Sequence, residues 1–173
     1  MRLQGVSDIP LNDFGRNQAR VAAEILSSGD WSLVVSSPLS RALETANIVA
    51  AKLGFENVDV LPELIERSFG IAEGLTYEEW KTRYQSGEEV DQAETIEQLD
   101  VRALALLDQL ARDFSGRQVL TVSHGALIRR LIHLVSAGEF PREGERFGNA
   151  SLTTIQHDGS GWTILNYDPK PLS

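Results

Sequence analysis

The sequence predicts an α/β fold of three layers, with helices on both faces of a mainly parallel sheet. Two observations predict it. Short, near-continuous apolar runs at 33–35, 58–61 and 118–122 suit strands covered on both faces. Helical patterns alternate with those runs, as strand–helix–strand units require. A third observation adds an edge feature. SLTTIQHDGSGWTILNY, at 151–167, reads as a C-terminal β-hairpin closed by a DGSG turn. At 173 residues and 42% hydrophobic, residues 1–173 suffice for one domain with one substantial core.

The elements follow in order. The first helix is expected from about Asn12 to Ser28, with Val21, Ala22, Ile25 and Leu26 on one face and Gly29 as its stop. Leu33, Val34 and Val35 form a short buried strand. Ser37-Pro38 then opens a helix, because serine can cap it and proline suits its first position. That helix carries Leu39, Ala42, Leu43, Ala46 and Val49 and stops at Gly54. VDVL at 58–61 is another strand. Thr76 with Glu79 reads as a capping box on a short helix, and the acidic stretch from Gly87 to Glu94 as a loop. Thr95 and Gln98 cap a long helix to about Asp113. QVLTV at 118–122 is a strand, and a helix follows His124 to about Ser136.

Composition excludes several functions. A net charge of −9 argues against binding nucleic acid or an anionic membrane surface, yet leaves room for a local cationic pocket. The chain has no cysteine, which removes disulfides, thiolate metal sites and cysteine nucleophiles. No apolar stretch approaches the roughly 18 residues of a membrane span. MRLQGVSDIPLNDFG has no apolar signal core, so a cytoplasmic protein is expected.

In parallel sheets, ligands bind beyond the carboxyl ends of the strands. His124 stands at one such end, and Ser36-Ser37-Pro38 with Arg41 at another. A guanidinium fork matches phosphate oxygens, and the amides of a helix start add positive potential. Glu66, in LIERSFGIAEG, lies in a glycine-flanked loop that could hold a carboxyl group ready for proton donation.

These stretches resemble the histidine phosphatase superfamily, in its phosphoglycerate-mutase-like branch. RLQGVSDIPLNDFGRNQA, SSPLSRALETA, LIERSFGIAEGLT and VLTVSHGALIRRL carry the likeness in the family's order, with ETIEQLDVRALALL and GNASL in support. The resemblance implies metal-independent transfer of a phosphoryl group through a phosphohistidine. It makes Arg41 the phosphate-binding arginine, His124 the pocket's second histidine beside the Gly125 amide, and Glu66 the acid and base. Gln4 and Gly5 match the substrate-facing N-terminal loop, and Asn149 a position near the pocket. No cofactor or metal is implied, and the partner is a small phosphorylated substrate. The loop from about Gly74 to Glu94 would set specificity, and its Glu78, Glu79, Glu88, Glu89 and Asp91 disfavour highly anionic substrates. His133 and His157 fall outside the motifs and are read as structural.

One family feature is missing. The family opens with a central strand ending in Arg-His-Gly, which supplies the nucleophile and a second phosphate arginine; this chain begins inside the following loop. The expectation is an N-terminally truncated domain, with two neighbouring strands left unpaired where that strand belongs. Phosphomonoester hydrolysis is expected of the parent enzyme. The alternatives are phosphoglycerate mutase and a non-catalytic module that binds phosphate esters.

Overall fold

The computed structural model describes residues 2–84 and 89–172. The expected alternation is present. Helix α1 (Asp13–Leu26) leads to β1 (Leu33–Ser36), α2 (Ser40–Leu53) and a two-residue strand β2 (Asp59–Val60). Two short 3-10 turns precede α3 (Tyr77–Arg83) and α4 (Ile96–Asp113). Then come β3 (Val119–Val122), α5 (Gly125–Val135) and the hairpin β4 (Ser151–His157) with β5 (Trp162–Pro171).

The sheet is parallel, in the order β2-β1-β3, and β4-β5 form a separate antiparallel pair. β3 pairs only with β1, and β4 only with β5, among the described residues. One face of the sheet packs Val34 and Leu120 against Ala22, Ala23 and Leu26 of α1 and Ala46, Val49 and Ala50 of α2. The other packs Leu33 and Val35 against Leu99, Ala103 and Leu106 of α4 and Leu127 of α5. Three layers result. No described helix is long and apolar enough to cross a membrane.

Local capping chemistry explains several boundaries. Thr76 and Thr95 each form a full capping box, with Glu79 and Gln98 respectively, so two expected helix starts are correct. The hairpin turn is held by Asp158, whose carboxylate accepts from the Ser160 and Gly161 amides.

Three expectations need correction. Ser37 does not cap α2 and Pro38 is not its first residue; the helix begins at Ser40, and Leu39 precedes it without a side-chain cap. Instead Asp8, from the N-terminal loop, accepts from both the Ser40 amide and its hydroxyl, each at 2.7 Å. The buried stripe of α1 is Ala19, Ala22, Ala23 and Leu26, while Val21 and Ile25 are each 37% exposed. Alanines let α1 lie close on the alanines of α2, which turns the larger side chains outward. The VDVL strand shrinks to Asp59–Val60, both exposed at the sheet's edge. The expected acidic loop lies partly outside the described residues, Glu88 included.

Candidate active site

The two strand ends converge as expected. β1 runs into the buried Ser36 and Ser37, and β3 runs into Ser123 and His124. His124 precedes α5 and is 7% exposed. Its Nε2 lies 2.7 Å from Ser37 Oγ. Burial, and then the nearby guanidinium groups of Arg41 and Arg102, push its pKa down to about 3. The imidazole is therefore neutral at physiological pH. Each cause disfavours a charged ring: little water reaches it, and two cations already stand close.

Arg41 sits half-buried as the second residue of α2. It donates to the Ser7 carbonyl at 2.8 Å and to the Gly5 carbonyl at 2.7 Å. A guanidinium has five N–H donors, so these two bonds leave donors for an anion. Burial pulls its pKa below the ordinary arginine value, opposed by the carboxylates of Glu66, Asp8 and Glu73.

Glu66 is fixed by backbone donors. Its carboxylate accepts from the amides of Arg67 at 2.8 Å, Ala126 at 3.1 Å and Leu127 at 3.2 Å. It thereby occupies two of the first three amides of α5. The remaining one belongs to Gly125, where an added Cβ would meet nothing within 4 Å. Among the described residues the Gly125 amide has no hydrogen-bond partner, so one helix-start donor remains beside a neutral imidazole, an arrangement that suits an anion.

The N-terminal loop forms the roof. Glu73 accepts from the amides of Val6 (2.9 Å), Ser7 (3.0 Å) and Phe69 (3.2 Å), and from the Ser7 hydroxyl. Gly5 is buried in a left-handed conformation (φ 53°), and a side chain there would strike the Glu73 carboxylate. Glycine is required by both the space and the dihedral.

Arg41, Glu66, His124 and Gly125 therefore share one rim, and Gly5 reaches it through its carbonyl. The other two do not join it. The side chains of Gln4 and Asn149 are exposed, and neither has a contact with Arg41, Glu66 or His124 among the described residues. His157 meets Trp162 in a tilted contact, with ring centroids 5.1 Å apart in the hairpin, and His133 lies beside Gly138 at the end of α5. No cluster of metal-ligating side chains occurs among the described residues.

Sequence reading missed Ser37 as the partner of His124 and Glu73 as the anchor of the roof. It also missed Arg102. That arginine forms a two-pronged pair with Glu94 (2.8 and 2.7 Å) and donates to the Glu63 and Ile65 carbonyls. The contacts of Ser37 and Glu73 join segments more than 60 residues apart, and Arg102 reaches back to the Glu63 and Ile65 carbonyls, so no local pattern announced them.

Comparison with known proteins identifies the family and the fold. The profile of the histidine phosphatase superfamily (branch 1) matches residues 1–169. A phosphatase of Bacillus subtilis, named uncharacterized phosphatase PhoE, is 35% identical over 96% of this chain and 86% of its own length. Phosphoglycerate mutase-like protein 4 of Arabidopsis thaliana is 35% identical over 94% of this chain and 76% of its own. Among solved structures, a mycobacterial glucosyl-3-phosphoglycerate phosphatase complexed with inorganic phosphate superposes with a TM-score of 0.81. It is 28% identical, covering 99% of this chain and 93% of that one. On these grounds the chain belongs to the histidine phosphatase superfamily, branch 1.

Proposed function

We propose that the rim at the ends of β1 and β3 binds the phosphoryl group of a small phosphomonoester, and that the chemistry served is its hydrolysis through a phosphohistidine. The observation that carries this reading is the buried, neutral His124 set beside Arg41 and directly before the first amide of α5, that of Gly125. Arg41 supplies charge to the non-bridging oxygens, and the amide and imidazole supply hydrogen bonds. Glu66 protonates the leaving alkoxide when the attacking imidazole takes the phosphorus. It then takes a proton from the water that releases phosphate from that imidazole, so each turnover returns the carboxyl group to its starting state.

The sequence holds no Arg-His-Gly triplet, so the attacking imidazole of this mechanism is not among these residues. They account for the phosphate-binding and leaving-group parts of the site. On its own, the chain is expected to bind phosphate esters without turning them over.

The test has two stages. Isothermal titration of this chain with inorganic phosphate should give saturable binding that Arg41→Ala abolishes. A version extended at its N-terminus by an apolar strand ending in Arg-His-Gly should release phosphate from p-nitrophenyl phosphate and be inhibited by vanadate. In that version Arg41→Ala, His124→Ala and Glu66→Gln should each lower turnover by about 10²-fold or more. Unchanged turnover in all three would remove the assigned roles. Phosphoglycerate mutase is the second reading, favoured by the mutase-like names among the relatives. Isomerisation of phosphoglycerate without net phosphate release would establish it.

A further inference from the structure

Beside Glu66 opens a cleft of about 430 Å³, a size that suits a small ligand. Its lining includes Glu66, Ser68, Gln92, Glu94, Gln98 and Arg102. A leaving alcohol must lie within reach of Glu66, and this is a cleft that Glu66 lines. That placement rests on the function proposed above.

Its charge is informative. Among the described residues Arg102 is the one cation in the lining, and four of its five N–H donors are already used, on Glu94 and on the Glu63 and Ile65 carbonyls. Against it stand two carboxylates, Glu66 and Glu94. Arg67 lies close by, with its guanidinium over the Phe69 ring and its Nε on the Glu94 carbonyl. Glu94, Glu66 and Glu97 surround it. Among the described residues of the lining, the single cation is thus largely committed to protein acceptors, with one donor remaining for a second anionic group.

The remaining polar groups suit hydroxyls. Gln98 uses its amide oxygen in the α4 cap, which leaves its NH2 as a donor. Gln92 holds a left-handed backbone (φ 61°), rare for a residue with a long side chain. The surroundings impose it. The Gln92 carbonyl accepts from Ser68, Ala93 bridges Phe69, and residues 91–93 press on Gly70, where a Cβ would lie 2.1 Å from the Asp91 carbonyl oxygen. An unfavourable conformation held at the wall of the cleft is the kind of strain found at functional sites.

We infer that this cleft takes an uncharged, hydroxyl-bearing alcohol and disfavours an alcohol carrying a second anion, with Gln92 and Gln98 determining specificity and Glu94 holding Arg102 out of play.

Glycerol 3-phosphate and 3-phosphoglycerate form a matched pair of probes. They differ chiefly in a hydroxymethyl group against a carboxylate. Titration of the chain with inorganic phosphate, then with each ester, separates the two parts of the claim. Glycerol 3-phosphate should bind about five- to tenfold more tightly than 3-phosphoglycerate, and more tightly than inorganic phosphate. Glu94→Gln removes one negative charge and loosens Arg102, and it should erase or invert that preference. Gln92→Gly should raise the melting temperature by relieving the backbone and abolish the advantage of glycerol 3-phosphate over phosphate. A purely structural Gln92 would show the first effect without the second. Equal or tighter binding of 3-phosphoglycerate, or a preference that Glu94→Gln leaves unmoved, overturns the inference while phosphate binding stands. If inorganic phosphate itself fails to bind, the phosphate pocket falls and the inference falls with it.

Discussion

β1 and β3 lie side by side in one parallel sheet, paired over four residues, yet they meet different surroundings. All four residues of β1 are buried, whereas in β3 only Leu120 is, and Thr121 is exposed. Their sequences, LVVS and VLTV, are almost equally apolar. The difference is in neighbours: β1 has a strand on each side and β3 on one. Burial of a strand is thus a property of its place in the sheet rather than of its own hydropathy. The candidate site inherits this asymmetry. Ser37 extends from the enclosed strand and His124 from the half-open one.

The comparison can be broken most directly at the strands themselves. Val34→Ala, at a fully buried position of β1, should lower unfolding free energy by about 2–3 kcal/mol; Val122→Ala in β3 should lower it by about 1 kcal/mol or less. Denaturant titration measures both, and equal losses would show that β3 is as enclosed as β1.

A slightly smaller effect concerns pH. The folded-state pKa of His124 is about 3, below the 6.5 of the unfolded chain, so the unfolded state binds more protons between those values. Stability from this group is complete above about pH 7 and falls as pH drops, by about 2 kcal/mol at pH 5. Chemical denaturation at pH 7 and 5 should show this loss in the wild type, and His124→Gln should lack it. A variant as pH-sensitive as the wild type would mean that water reaches the ring through the open side of β3.

Next comes the bond joining the two strand ends. Ser37→Ala leaves a buried ring nitrogen without its partner and should lower stability by about 1–2 kcal/mol. The smallest effects belong to the outward face of α1. Val21→Lys and Ile25→Lys should each change stability by about 0.5 kcal/mol or less, a value that thermal melts of both variants can check.

The order of elements was legible in the sequence because short apolar runs and capping pairs are local signals. Thr76 with Glu79 and Thr95 with Gln98 lie three residues apart, and their boxes form as read. The start of α2 was not legible, because its cap comes from Asp8, 32 residues away from Ser40. The buried face of α1 misled for another reason. Valine and isoleucine outweigh alanine in hydropathy, yet close approach of two helices favours the smaller side chain. At the site, motif resemblance located Arg41, Glu66, His124 and Gly125. It could not reveal that Ser37 holds the ring, or that Glu94 occupies Arg102, since both depend on contacts that only the folded chain brings together.

The anchoring of the roof by Glu73 has a consequence for how the molecule opens. The amides of Val6, Ser7 and Phe69 share one acceptor carboxylate although they come from two distant segments. Their hydrogen exchange should therefore proceed as a unit. When that carboxylate lets go, both walls of the pocket become labile in the same event, and local opening of the site is a single cooperative step rather than the fraying of two loops.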